Sequence, residues 1–267
     1  MALRVASWNV NSLRVRLPQV LRWLEATQTD ALVLQETKLT DDQFPQDAFQ
    51  SAGFEVAFVG QKTYNGVALI TRRDTLTVSD VVYNVPGFPD EQKRLVSATL
   101  TPKATPDKPF TMVGGYIPNG NELGSWKYLY KLDWLAALED YLRTCLAHNP
   151  RLVMGGDFNI APDDRDVWDP VSWHEKVLTS KAERYALDTL LALGLVDSFR
   201  ALVSDKDRFS WWDYRQAAFE RNHGLRIDLL LVSEAMKADM AEVGIDTEPR
   251  GWDQPSDHAP VWVSFKD

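Results

Sequence analysis

The stretch 151-RLVMGGDFN-159 is apolar or small from Leu152 to Gly156 and then stops on two polar residues, Asp157 and Asn159. It reads as a strand whose end presents a carboxylate and an amide. The same grammar recurs along the chain. LRVASWN (3–9) ends on Asn9, ALVLQE (31–36) on Glu36, and FTMVGGYI (110–117) carries Tyr116 at its close. LRIDLLLV (225–232) is interrupted by Asp228, and Asp257 and His258 stand just before PVWVSF (260–265). FEVAFVG (54–60), GVALIT (66–71) and RLVSATL (94–100) complete the set of strand-like runs. Helical periodicity separates some of them. Leu17, Val20, Leu21 and Leu24 share one face of 16–27, and Leu132, Leu135, Leu138, Leu142 and Leu146 share one face of 126–148. A third helix over 182–194 stops at Gly194. This order predicts an α/β fold of two sheets with helices on their outer faces, in a single domain spanning 1–267.

The bulk numbers allow such a fold. A chain of 267 residues with 45% hydrophobic and 25% charged residues is long and apolar enough for a sizeable core. The lone Cys145 excludes an internal disulfide or a thiolate-rich zinc site, and it reads as a packed helix residue. MALRVASWNVNSLR has no long apolar run and no stretch is apolar enough to span a bilayer, so the expectation is a cytoplasmic protein without membrane contact. The net charge of −9 speaks against a phosphate-backbone partner unless an acidic metal site is segregated from a basic face.

Any one polar residue after a strand is commonly a turn residue. Asp228 is different. Flanked by Ile227, Leu229 and Leu230, its carboxylate either faces solvent by alternation or is paired, and His258 is the obvious partner. Carboxylates with amide and water oxygens suit a hard cation such as Mg²⁺ or Mn²⁺. Four histidines without an HExxH arrangement do not suggest a histidine-rich zinc site. A carboxylate–imidazole pair could stabilise a developing oxyanion, and a further Asp could activate a water. Together these make a phosphoester-hydrolysis set.

The motifs ASWNVNSLR, LVLQETK, GQKTYNGVALITR, GYIPNG, MGGDFNIAP, GLVDSFR, DRFSWWDYR, GLRIDLLLVS and PSDHAPV run the full length. In order and spacing the chain resembles the exonuclease III family of DNA repair nucleases, within the endonuclease/exonuclease/phosphatase superfamily. The resemblance implies a four-layer α/β sandwich, two packed mixed sheets flanked by helices, acting as a monomer. It implies Mg²⁺-dependent cleavage of double-stranded DNA at abasic sites or blocked 3′ ends, by abasic-site endonuclease, 3′-phosphatase or 3′-to-5′ exonuclease activity. By the same resemblance Glu36 is the metal carboxylate, Asn9 supports its shell, and Asp257 lies on the metal side. Asp157 positions and activates the water, Asn159 orients Asp157 and the phosphate, Tyr116 lies near the scissile phosphate, and Asp228 and His258 form the carboxylate–imidazole pair.

Other members of that superfamily act on inositol polyphosphates or lipid headgroups, which is the alternative substrate class. DRFSWWDYR discriminates, because the resemblance implies that Trp211, Leu225 and Ile227 form an apolar pocket for an extrahelical sugar. Phosphate contacts are expected from Arg94 and Asn119, with Lys62, Tyr64, Asn65 and Lys93 as further candidates. The long irregular stretch 161–183 carries Trp168, Trp173 and His174. A bulky Trp173 or His174 overhanging the site would narrow it and favour 3′ ends over internal abasic sites, while the alternative is a Trp173 that merely anchors the loop.

Overall fold

Strands buried on both faces read as continuous apolar runs, because neither face can be left polar. The computed structural model, which describes residues 2–266, contains many of this kind. In chain order the elements are β1 (Leu3–Asn9), α1 (Leu13–Thr27), β2 (Ala31–Gln35), α2 (Gln46–Ser51), β3 (Phe54–Val59), β4 (Val67–Arg72), β5 (Leu76–Tyr83) and β6 (Leu95–Pro102). Then follow β7 (Phe110–Tyr116), α3 (Trp126–His148), β8 (Leu152–Asp157), α4 (Lys181–Leu191), β9 (Leu195–Asp197) and α5 (Ser198–Leu202). The chain closes with β10 (Trp211–Trp212), β11 (Gly224–Leu225), β12 (Asp228–Ser233), α6 (Glu234–Lys237), β13 (Met240–Ile245) and β14 (Val261–Phe265).

One six-stranded sheet runs β13-β14-β1-β2-β4-β3 and the other β5-β6-β7-β8-β12-β9, with β10 and β11 as a separate ribbon. Both are mixed, since β1 with β2 and β7 with β8 are parallel and the remaining pairs antiparallel. Alternation within β2 decides the layers. Ala31 and Val33 enter the core between the sheets with Val5, Met112, Val153 and Leu230. Leu32 and Leu34 point the other way, toward Val20, Trp23 and Leu24 of α1 and Phe49 of α2. On the opposite side Trp134, Leu135, Leu138 and Leu142 of α3 and Leu187 and Leu190 of α4 cover Val113, Met154 and Leu231. The result is helix, sheet, sheet, helix, as expected from the sequence. The sheets approach closely at Val33, where a Cβ added to Gly114 would stand 2.9 Å from the valine Cβ.

The strand runs visible in the sequence all form, with ends displaced by one or two residues, or three at the start of β12. β5 and β13 carried no such signal. Each is the edge of its sheet and is largely exposed or half-buried, so neither needs an apolar run. The helix expected over 182–194 ends earlier, at Leu191, and Gly194 follows it with φ 92°. Among the described residues no helix is long and apolar enough to cross a membrane.

Candidate active site

Register brings the polar strand ends to one rim. In the second sheet Tyr116 pairs with Asp157 across the parallel β7–β8 ladder, and Asp157 pairs with Asp228 across β8–β12, so the three stand in one row. In the first sheet Asn9 is level with Gln35, which puts Glu36 one residue past the strand. β1 packs on β8, so the two rims face each other. Glu36 (φ 53°) and Asn159 (φ 49°) adopt left-handed backbone there, a costly conformation that their surroundings must enforce. The loop before β14 is bound to the same rim. Ser256 Oγ donates to the Asn9 carbonyl (2.7 Å) and accepts from the His258 N–H, and Trp8 Nε1 donates to the His258 carbonyl.

The Asn9 side-chain N–H₂ donates to both Glu36 and Asp157, at 2.9 Å each. Its oxygen accepts from the Asn11 N–H, so the Asn9 amide is fixed in orientation and ties two carboxylates together. Asp157 also accepts from the Asn159 N–H at 2.9 Å. The Asn159 amide is fixed in turn, donating to the Ile117 carbonyl and accepting from Asn119 Nδ2. His258 Nδ1 lies 2.8 Å from Asp228 Oδ2, and Nε2 lies 3.7 Å from Asp157 Oδ2. Asp228 is thus buried and paired, which resolves the alternatives the sequence left open.

Burial raises the Asp157 carboxyl to about 7, with His258 pulling it down and Asp228 pushing it up. Burial opposes a charge on His258, but Asp228 and Asp157 outweigh it and hold the imidazolium up to about 10. Burial likewise works against the Glu36 carboxylate, yet the Asn9 amide and the Lys38 ammonium bring it below its ordinary value. Burial, then the Glu36 and Asp157 charges, keep Tyr116 a neutral phenol well above its usual range. At neutral pH the rim therefore offers a carboxylate poised near its own titration, an imidazolium and a phenolic donor.

Ligand atoms of Glu36, Asp157 and His258 lie within 4.8 Å of one another. Two oxygen donors this close suit a hard divalent cation, whereas His258, held as an imidazolium by Asp228 and Asp157, has no lone pair to lend. Asp257 is placed otherwise. It accepts from Asn11 Nδ2 (3.1 Å) and from Trp211 Nε1 (3.0 Å), outside that cluster, and so fixes an aromatic ring beside the rim.

Trp211, Leu225 and Ile227 come together in one apolar cluster with Val167 and Leu178, but Leu225 and Ile227 are buried and of the three only Trp211 lines the adjoining cavity. Trp211 and Trp173 line a cavity of about 360 Å³ with Trp168 and His223, whose rings stack at 3.8 Å. His174 is elsewhere, exposed beside a small recess with Asp164 and Arg184. On the opposite flank Arg94, Asn119, Tyr116, Tyr64, Trp126 and Lys127 line a groove of about 610 Å³. Arg94 donates to the Tyr116 carbonyl. Asn65 is buried and bonded to Gln61 and Gln92, so its amide is committed to the loop. Lys62 is an exposed loop residue.

Sequence reasoning passed over Ser210. Its hydroxyl donates to Asp228 Oδ2 (2.7 Å) and accepts from the N–H groups of Ile227 and Asp228, which aims that carboxylate at His258. A serine one residue before a chosen tryptophan gives no periodic or motif signal of this. Lys38 was also passed over, although it lies two residues after Glu36 and 3.1 Å from it.

The model of the family described as Endonuclease/Exonuclease/phosphatase matches residues 6–258 of the chain. Exodeoxyribonuclease III of Haemophilus influenzae is 37% identical over 277 residues, covering 99% of this chain and all of that protein. The 3′ phosphatase NExo from Neisseria, solved with a product DNA hairpin, superposes with a TM-score of 0.94 at 44% identity over the full length of both chains. An AP endonuclease from Archaeoglobus fulgidus superposes with a TM-score of 0.91 at 32% identity, over 99% of this chain and all of that one.

Proposed function

The chain belongs to the endonuclease/exonuclease/phosphatase family, and on that premise we propose how its site works. It is a metal-dependent phosphoesterase of DNA repair, with DNA as its substrate. The ion is Mg²⁺, with Mn²⁺ as a substitute, and the substrates are duplexes carrying abasic sites or blocked 3′ ends, cleaved by a cytoplasmic monomer.

The observation that carries this reading is the meeting at one rim of the Asn9-bridged carboxylates Glu36 and Asp157 with the Asp228–His258 pair. Glu36 and Asp157 would hold the cation, which when bound supplies charge neutralisation at the phosphate and at the departing oxygen. Asp157 accepts a proton from the attacking water, and the new phosphorus–oxygen bond forms as the ester bond to the leaving oxygen breaks. The His258 imidazolium, held by Asp228, opposes the negative charge that accumulates on the phosphoryl oxygens. The Tyr116 phenol and the Asn159 amide flank the same phosphate and orient it. Trp211, backed by the buried Leu225 and Ile227, offers with Trp168 and Trp173 the apolar surface that a sugar turned out of the duplex would need, which supports a DNA substrate over a freely soluble phosphoester. Trp173, which lines the same cavity as Trp211, narrows that space and biases the enzyme toward 3′ ends.

The test uses purified protein with Mg²⁺ on two labelled duplexes, one with an internal abasic-site analogue and one with a 3′-phosphate at a nick, and Asp157→Asn as control. Removal of the 3′-phosphate faster than incision, both abolished in the variant, is the expected result. Wild-type protein inert on both duplexes would overturn the reading.

A further inference from the structure

Lys131 lies on the buried stripe of α3, and its side chain is fully inaccessible to solvent. Its ammonium carries three hydrogens and finds three oxygens: Glu183 Oε1 at 2.5 Å, the Asn159 carbonyl at 2.6 Å and the Asn119 carbonyl at 3.1 Å. Glu183 is equally committed. Its oxygens accept from the Leu178 N–H, the Ser180 N–H and the Ser180 hydroxyl.

Burying an ion pair is a poor way to gain stability, because desolvation offsets most of the attraction and apolar side chains of the same volume often do as well. What the ammonium provides that an apolar side chain cannot is direction. Two of its three bonds go to backbone carbonyls, and both carbonyls belong to the rim. Asn159 gives its N–H to Asp157 and shares its amide with Ile117 and Asn119. From these contacts we infer that Lys131 is a positioning residue for the phosphoester reaction, holding the 157–160 and 117–121 loops in register from beneath so that Asn159 keeps Asp157 aimed. Glu183 supplies the counter-charge that lets the ammonium stay buried. The inference rests on the function proposed above.

Two variants separate positioning from stability. Glu183→Gln removes the ion pair and, even if the lysine gives up its proton, leaves an amine with two N–H donors for its two carbonyl partners. Lys131→Met with Glu183→Gln removes those bonds as well, in a neutral pocket. Thermal unfolding reports stability, and single-turnover cleavage with enzyme in excess reports the rate of folded molecules alone. Glu183→Gln is expected to lose stability while cleaving within about twofold of wild type. The double variant is expected to cleave about 10- to 100-fold more slowly, the cost typical of removing a supporting hydrogen bond, with the dissociation constant for uncleaved duplex in EDTA unchanged. Lys131→Gln in the Glu183→Gln background returns N–H donors to the pocket and is expected to recover part of the rate. A double variant that cleaves at the wild-type rate, or rates that follow stability across all three variants, would overturn the inference. Wild-type protein that cleaves neither duplex would instead overturn the proposed function, and the inference with it.

Discussion

His258 Nδ1 stands 2.8 Å from Asp228 Oδ2, the oxygen that also accepts the Ser210 hydroxyl, while Asp228 Oδ1 is buried with no hydrogen-bond partner in the described structure. One oxygen of the carboxylate thus carries both contacts, and the imidazole is fixed in orientation and in charge. Replacing Asp228 by Asn keeps the shape and removes the charge. The His258 titration is then expected to fall from about 10 toward its ordinary 6.5. Histidine ring signals in NMR follow it directly, assigned by comparison with His258→Gln. The single-turnover rate should drop by roughly 10²- to 10⁴-fold, the span typical of a lost acid–base group. An unshifted His258 titration would count against the pairing as the source of its charge.

The same pair makes the metal-free protein less stable as pH rises. His258 titrates near 10 folded and near 6.5 when unperturbed, so its contribution is fully present below 6.5 and is lost as pH rises through 10. Asp157 acts with the same sign in a lower window, since its folded value of about 7 exceeds the ordinary 3.8 and the folded state holds the extra proton between them. The unfolding free energy in EDTA is expected to fall steadily from pH 6.5 to 10, by an amount on the order of a few kcal/mol, and the thermal midpoint falls with it. In Asp228→Asn the alkaline part of that fall should flatten. A midpoint that rises over the window would show that these assignments are wrong.

Chelation should abolish cleavage, and Mg²⁺ or Mn²⁺ should restore it. Glu36→Gln keeps the hydrogen-bonding shape beside Asn9 but weakens the oxygen donor. The Mg²⁺ concentration giving half-maximal rate is expected to rise by at least about tenfold, as for other losses around a metal site. Titration of the rate with Mg²⁺ measures it, and an unchanged midpoint would remove Glu36 from the metal site.

Trp173 and His174 are adjacent in sequence and share a small recess, but only Trp173 also lines the cavity with Trp211. Trp173→Ala enlarges the cavity it shares with Trp211 and is expected to raise abasic-site incision relative to 3′-phosphate removal by about tenfold, the discrimination an apolar contact can supply. His174→Gly is expected to leave that ratio unchanged. The reverse pattern in a two-substrate assay would assign the selectivity to the histidine.

Asp166 Oδ1 accepts from Arg226 Nε at 2.7 Å and Arg200 Nη2 at 2.5 Å, and Arg226 also grips Asp197. This buried network ties the loop after β8 to the residue that separates Leu225 from Ile227. Asp166→Ala leaves two guanidinium groups short of a counter-charge and should cost about 3–5 kcal/mol in urea unfolding. A loss below 1 kcal/mol, a value usual for exposed pairs, would contradict that account.

Much of this protein was legible in its sequence. Strands covered on both sides must be apolar throughout, so β1, β2, β7, β8 and β12 announced themselves, and the polar residues that end or interrupt them named Asn9, Glu36, Tyr116, Asp157 and Asp228. Even Lys131 sits at helical spacing from Leu135 and Leu138, on the stripe that α3 buries. Other features depended on three-dimensional placement. Edge strands β5 and β13 need no apolar signature, because one side of each is open. Register across two facing sheets, not sequence distance, brings Glu36 to Asp157 and gives Asp228 to His258. Loop packing sends Asp257 to Trp211 and keeps His174 out of the cavity that Trp173 and Trp211 line. The sequence by itself determined which residues could do the chemistry, since burial selects residue types locally. Only the tertiary structure decided their partners, because a hydrogen bond is set by distance and direction between segments far apart in the chain.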